Sequence, residues 1–249
     1  MTLISGWRIF LVMAFGWALD GCGRAPLTVD HLIERNTQAM GGRAAIEAIK
    51  SIEVDLHIVD PDFEADGKYR AARPSRMRID VLAEGKHVYT EAFDGDRGWQ
   101  WKGAAIEEAS PKGTAALRHG VELPGKLFGL HELRQRGHRV DLANVEAIDG
   151  TNYYALRITL NDGYTTTLYF DPSSWLITRR RDFRALHVDV DPTPSTIESR
   201  FSDFRKVDGV LFAFAVADTD LATHKVLETT TVRSIKVNPH LDPAIFSAL

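Results

Sequence analysis

The chain has 249 residues, 44% of them hydrophobic and 26% charged, and a formal net charge of −4. That balance supplies apolar material for a sizeable core and excludes the clustered basic face that non-specific nucleic-acid binding requires. One cysteine, Cys22, excludes an internal disulfide framework and any cysteine-based zinc site.

The first segment, residues 1–21, reads as a signal peptide. Arg8 and the N-terminus form a positive region, and residues 9–19 form an apolar stretch. At 1.5 Å per residue that stretch is about 16 Å long, roughly half of a hydrocarbon core of about 30 Å. It suits a secretory h-region better than a membrane span. Leu19-Asp20-Gly21-Cys22 then resembles the lipobox of bacterial lipoproteins, with Asp20 departing from the small uncharged residue usual there. The resemblance implies that the Cys22 thiol receives diacylglycerol and that cleavage follows before it. The other reading is an incidental cysteine after an uncleaved anchor. Gly23 in the next position implies, by the same resemblance, the periplasmic face of the outer membrane. Residues 22–27 make a lipidated linker, and a single domain is expected over 28–249.

After Pro26 a helix is expected, capped by Thr28 or Asp30, with Leu32, Ile33, Thr37 and Met40 at helical spacing. Gly41-Gly42 stops it, and residues 44–49 form a second short helix. From Ser51 the apolar period changes from 3.6 to 2: Ile52, Val54, Leu56 and Ile58 alternate with Glu53, Asp55 and His57. Further strand-like runs cover 68–73, 75–82, 86–93, 98–102, 140–148, 153–160, 165–170, 176–183, 196–206, 211–217 and 225–237. Asp94-Gly95, Asp149-Gly150, Asp162-Gly163, Asp171-Pro172 and Asp208-Gly209 supply turns between them. Roughly ten or eleven strands joined in this way make a mostly β, antiparallel meander that must curl to protect itself.

Residues 111–137 interrupt the strands. Leu117, Val121, Leu123, Leu127, Phe128, Leu130 and Leu133 lie there among Gly, Pro and basic residues, suggesting one or two short helices. Leu127, Phe128 and Leu130 are candidates for a lid over an open sheet face; a connector packed on the core is the alternative.

Catalytic signals are weak. Nine histidines are scattered without metal-ligand spacing, and no hydrolase elbow or nucleotide loop is present. His187-Val188-Asp189-Val190-Asp191, read as a strand, puts His187, Asp189 and Asp191 on one face, where they could hold a hard divalent cation; an exposed strand burying Val188 and Val190 is the plainer reading. Asp60, Asp62, Glu64 and Asp66 read as a solvated hairpin end, and Arg179-Arg180-Arg181 with Arg184 as a solvated sheet face in preference to a phosphate-binding patch. No serine or cysteine has a recognisable base beside it. The expectation is a non-enzyme with no cofactor and no metal.

Bulky aromatics fall on the strands. Trp99 and Trp101 share a face, as do Phe212 and Phe214, while Phe170 and Phe183 add bulk. They are read either as plain core or as the lining of a concave apolar cavity for acyl chains.

Several short signatures recur in order: Ala39-Met40-Gly41-Gly42; Phe93-Asp94-Gly95-Asp96-Arg97-Gly98-Trp99; Tyr169-Phe170-Asp171-Pro172; Phe201-Ser202-Asp203-Phe204-Arg205-Lys206-Val207-Asp208-Gly209-Val210; and Asn238-Pro239-His240-Leu241-Asp242-Pro243-Ala244-Ile245-Phe246. Together they resemble the LolA/LolB-like superfamily, the periplasmic lipoprotein-carrier fold. The resemblance implies a curved, half-open antiparallel barrel, helices over its open side, and an apolar cavity that accepts acyl chains of a lipid or lipoprotein. A lipid-anchored member would be more like LolB, the outer-membrane receptor. Three functional readings follow: a carrier or receptor in outer-membrane lipid or lipoprotein trafficking; a non-catalytic envelope scaffold with a filled cavity and a protein partner; and a metal-assisted hydrolase at His187, Asp189 and Asp191.

Overall fold

A computed structural model describes residues 27–248; the signal segment and Cys22 lie outside the described residues. Helix α1 (Val29–Met40) begins at Thr28, whose side chain accepts the His31 N–H at 3.1 Å. Of the two expected caps, Thr28 is the one used. Gly41 ends α1 at φ 125°, with its N–H donating to Gln38 and that of Gly42 to Thr37. Helix α2 (Arg43–Glu47) follows.

The strands are β1 (Ser51–Val59), β2 (Glu64–Ala72), β3 (Arg76–Ala83), β4 (Lys86–Phe93), β5 (Gly98–Trp101), β6 (Ile106–Glu108), β7 (Arg139–Leu142), β8 (Glu146–Ile148), β9 (Thr151–Thr159), β10 (Thr165–Phe170), β11 (Ile177–Arg184), β12 (Ser195–Val207), β13 (Val210–Asp220) and β14 (Val226–Val237). Helix α3 (Pro111–Glu122) separates β6 from β7. One-turn helices lie at Leu130–Glu132 and Pro243–Phe246.

All strands belong to one antiparallel sheet in the order β6-β5-β4-β3-β2-β1-β14-β13-β12-β11-β10-β9-β7, with β8 paired to β9 off this path. The first and last long strands pair at the middle, Ile52 opposite Val237. The edges β6 and β7 do not meet, so the expected half-open barrel forms. Two strands exceed the expectation. β6 is exposed at every residue, so no burial pattern marked it. The run 140–148 splits into β7 and β8 around Ala143, whose N–H still donates to Ala155.

Alternation divides each strand between a concave, helix-covered side and a convex side. Ile52, Val54, Tyr69, Ala71, Met77, Phe93, Val210, Phe212, Phe214 and Val232 meet Ile46, Val121, Leu127 and Phe128 in one concave core. Leu156, Ile158, Leu168 and Phe170 meet Leu32, Leu123, Leu130 and Leu133 in a second. On the convex side, Ile148, Tyr153, Ala155 and Tyr169 form a third cluster under β8. Burying side chains of this size contributes about 1.5–3 kcal/mol each.

Two local readings are corrected. Residues 187–191 are not a strand: the His187 carbonyl accepts from Val190 N–H at 3.0 Å and Asp191 N–H at 2.8 Å in a tight turn. Asp191-Pro192 and Pro194 follow directly, and proline withholds the N–H a ladder needs. Val190 is 72% exposed rather than buried. The arginine run is not a solvated face either. Arg179 reaches Glu198 at 2.6 Å and Asp149 at 2.8 Å on the convex side, joined by Arg181 and Arg200 on Glu198. Arg180 and Arg184 point to the concave side, at 2.7 and 3.6 Å from the fully buried Asp182. The strand period places successive arginines on opposite faces, and each face supplies its own carboxylates. The expected solvated hairpin end holds at Asp62, Glu64 and Asp66, which are exposed, with Asp60 half-buried; Glu64 and Asp66 meet His57 at 3.3 and 2.9 Å, and Asp66 meets Arg233 at 2.7 Å.

Candidate functional site

The residues expected to line a cavity divide between the two faces. Phe170, Phe212 and Phe214 face the concave side but are packed at 0, 3 and 5% exposure, so they floor the interior rather than bound open space. Trp99 and Trp101 lie opposite Ala92 and Thr90, the face away from Glu91 and Gln100. The Trp99 indole is turned to the convex side, where Nε1 donates to the Phe246 carbonyl at 2.7 Å and Arg78 covers the ring at 5.4 Å. Trp101 stacks on His87 at 4.4 Å. Phe183 is on the convex face of β11 and is 69% exposed. The shared faces were legible from alternation, but which face is concave depends on where the helices dock.

The candidate lid residues Leu127, Phe128 and Leu130 are all buried. Arg73 holds this segment: its Nη2 donates to the Leu127 carbonyl at 2.6 Å, Nε to the Ile49 carbonyl at 2.7 Å, and Nη1 to Glu132 at 2.5 Å. Arg73 and Arg136 lie over the Phe128 ring at 4.4 and 3.8 Å. Burial works to raise the Glu132 carboxyl, but hydrogen bonds from Arg73 and the Gly129 N–H outweigh it and hold the group below its ordinary range. In this structure the segment is a pinned plug.

The helices and plug cover part of the concave side. Elsewhere on it, Leu56, Ile58, Ile79, Phe201 and Val216 are only partly buried. On the other face, a shallow hollow of about 410 Å³ runs along β11–β14; Arg179, Arg200, Ser202, Ala215, Ala217, Thr229 and Thr231, all convex by register, supply most of its lining. Lys126 belongs to the concave interior. Its ammonium lies 4.1 Å over the Tyr69 ring, and the side chain is reached by water yet surrounded by protein. Desolvation, reinforced by nearby Arg180, pulls that ammonium down to about 8. None of these residues carried a motif; Phe201 and Val216 are opposite each other across β12 and β13, and only that register reveals the site.

A second cavity of about 240 Å³ lies between α3, β4–β5 and the 185–189 loop. Tyr89, Glu91, Gln100, His119, Tyr164, Arg180, Arg184, His187 and Asp189 contribute its polar groups, and Trp99 borders it. Burial pushes the Glu91 carboxyl up; a hydrogen bond to Glu228, 3.4 Å away, pushes the His187 imidazole up. The hydrolase triad does not assemble. His187 faces Glu228, Asp189 accepts the Ser110 N–H at 3.2 Å, and Asp191 accepts the Thr193 N–H at 2.9 Å. Among the described residues no group of three or more His, Cys, Asp or Glu is placed to hold a metal, and no helix is long and apolar enough to cross a membrane.

No protein-family profile and no curated protein matches the chain. Solved structures do. A LolA superfamily protein from Nitrosomonas europaea superposes with a TM-score of 0.58 at 13% identity, over 90% of this chain and 99% of that one. A DUF1329 family protein from Desulfovibrio piger gives 0.58 at 13% identity over 88% and 97%. A protein assigned as an outer-membrane lipoprotein-sorting domain from Vibrio parahaemolyticus gives 0.57 at 12% identity over 86% and 95%. The chain has the LolA/LolB-like fold expected from its signatures.

Proposed function

We propose that this chain is a cell-envelope lipoprotein that holds acyl chains of a lipid or lipoprotein in its concave apolar interior, as a carrier or receptor in outer-membrane trafficking. Residues 1–21 act as the signal, acylated Cys22 as the anchor, residues 22–27 as the linker, and 28–249 as the binding domain. One observation carries the reading: Leu56, Ile58, Ile79, Phe201 and Val216, on β1, β3, β12 and β13, face the concave side without being fully covered. A methylene withdrawn from water contributes about 0.8 kcal/mol, so about six of them give roughly 5 kcal/mol, enough to retain a chain and still release it to a better acceptor. The likeness to a lipoprotein-sorting domain supports the same reading. The scaffold alternative draws support from the tight packing of Phe170, Phe212 and Phe214 and from the pinned plug.

Residues 27–248 contain all three apolar clusters, so a chain beginning at Leu27 keeps the folded unit. Native mass spectrometry of that chain, exported to the periplasm and extracted mildly, separates the two readings. The carrier reading expects co-purified lipid or acylated peptide. Bare protein in every preparation, with a stable protein partner instead, favours the scaffold.

A further inference from the structure

The cavity under α3 differs in chemistry from the concave apolar patch of Leu56, Ile58, Ile79, Phe201 and Val216. It carries carboxylates from two directions, Glu91 on β4 and Asp189 in the loop, and guanidiniums from Arg180 and Arg184 on β11. Tyr89 Oη donates to Glu91 at 2.8 Å and lies 3.0 Å from Gln100 Oε1. His119 and Tyr164 stack at 4.0 Å beside it. Each arginine has a carboxylate beside it: Arg180 Nε lies 2.7 Å from Asp182, and Arg184 Nη2 donates to Asp218 at 3.3 Å, although each Nε is sealed from water without an aligned hydrogen bond. On α3, Gly113, Ala116 and Gly120 leave the helix face thin here, and a Cβ added at Gly120 would meet nothing within 4 Å.

A ligand of one sign would leave one wall of this cavity facing it uncompensated, which is costly away from bulk water. A ligand bearing both signs pairs with both walls. The volume, about 240 Å³, falls below the usual range of roughly 300–1,000 Å³ for whole drug-sized ligands, and suits a head group better than a complete lipid.

We propose that the cavity under α3 binds a zwitterionic head group, with Arg180 and Arg184 toward its phosphate and Glu91 and Asp189 toward its ammonium. The head group is that of the amphiphile whose acyl part lies on the concave apolar patch, so this inference rests on the carrier reading. It makes the interior bipartite: an apolar patch on β1, β3, β12 and β13 and a charged cavity under α3.

The test is calorimetric titration of the chain beginning at Leu27 with glycerophosphoethanolamine, glycerol phosphate and ethanolamine. The zwitterion should bind at least about tenfold more tightly than either half. Glu91→Gln should erase most of that advantage. Ala116→Leu, placed to fill the cavity, should abolish binding of the zwitterion with the circular dichroism spectrum unchanged. A lysolipid with the same head group should bind at least about tenfold more tightly still. Equal affinity for lysolipid and soluble head group would assign the cavity to a free zwitterion and overturn the amphiphile. Equal affinities for the three soluble probes, or binding unchanged in Ala116→Leu, would overturn the site. Uptake of a fluorescent fatty acid, followed in the same samples, reports on the carrier reading alone: uptake intact without head-group binding defeats only the present proposal.

Discussion

Arg73 joins elements that the sequence separates widely. Its guanidinium bonds the end of α2 through the Ile49 carbonyl, the plug through the Leu127 carbonyl, and Glu132 at 2.5 and 3.0 Å. Removing it leaves a buried carboxylate unpaired, so Arg73→Ala should destabilise by about 3–5 kcal/mol, read from urea unfolding at neutral pH. Adding Glu132→Gln should restore part of the loss, because the orphaned charge goes with it. The pH dependence has a definite sign. Glu132 is held below its ordinary range in the folded chain, so it contributes stability above the ordinary carboxylate pKa. That contribution is lost as pH falls through the range down to the folded value. In Arg73→Ala the acid-side loss should flatten or reverse; a slope identical to that of the natural chain would show that Arg73 does not control this carboxyl.

Among elements, Gly41 shows how the fold depends on close approach. It sits at φ 125°, and a Cβ there would collide with the Gly209 carbonyl in the β12–β13 turn. Gly42, at φ 90°, has open space around its missing Cβ. Gly41→Ala should therefore cost about 2 kcal/mol or more, and Gly42→Ala about 1 kcal/mol from backbone strain alone. Thermal unfolding of the two variants reads the difference; equal losses would mean that the α1-to-hairpin approach is not tight. The double glycine was legible as a helix stop, but not as the place where β12 and β13 touch α1. The same limit explains the site. Period-2 patterns located nearly every strand, because each buries one face, and β6 escaped because it buries neither. Alternation grouped Trp99 with Trp101 and Phe212 with Phe214, yet assigning a face to the interior requires the docking of α1–α3. Trp99 went to the convex side because the C-terminal turn at Phe246 covers it there. Phe183, aromatic and in a strand, has no such cover. The arginines of β11 looked solvated because Glu198 and Asp218, which pair with Arg179 and Arg184, lie on β12 and β13, and because the burial of their near neighbour Asp182 depends on the docked helices.

At the scale of the molecule, a sheet that joins its first and last strands but leaves β6 and β7 apart encloses space without sealing it. Helices and plug fill the space over Phe170 and Phe212, leaving the partly covered apolar patch around Phe201 and Val216 and the charged cavity under α3. The first suits hydrocarbon and the second suits a polar end, an order that matches one amphiphile better than two unrelated ligands. The measurement that bears most directly on this account is photocrosslinking with a fatty acid carrying a diazirine near its methyl end, followed by peptide mapping. The account predicts adducts on concave residues, Phe201 and Val216 foremost, and their loss when Val216→Trp covers that patch. Adducts confined to the convex side, around Phe183 or Trp101, or labelling unchanged by Val216→Trp, would contradict it.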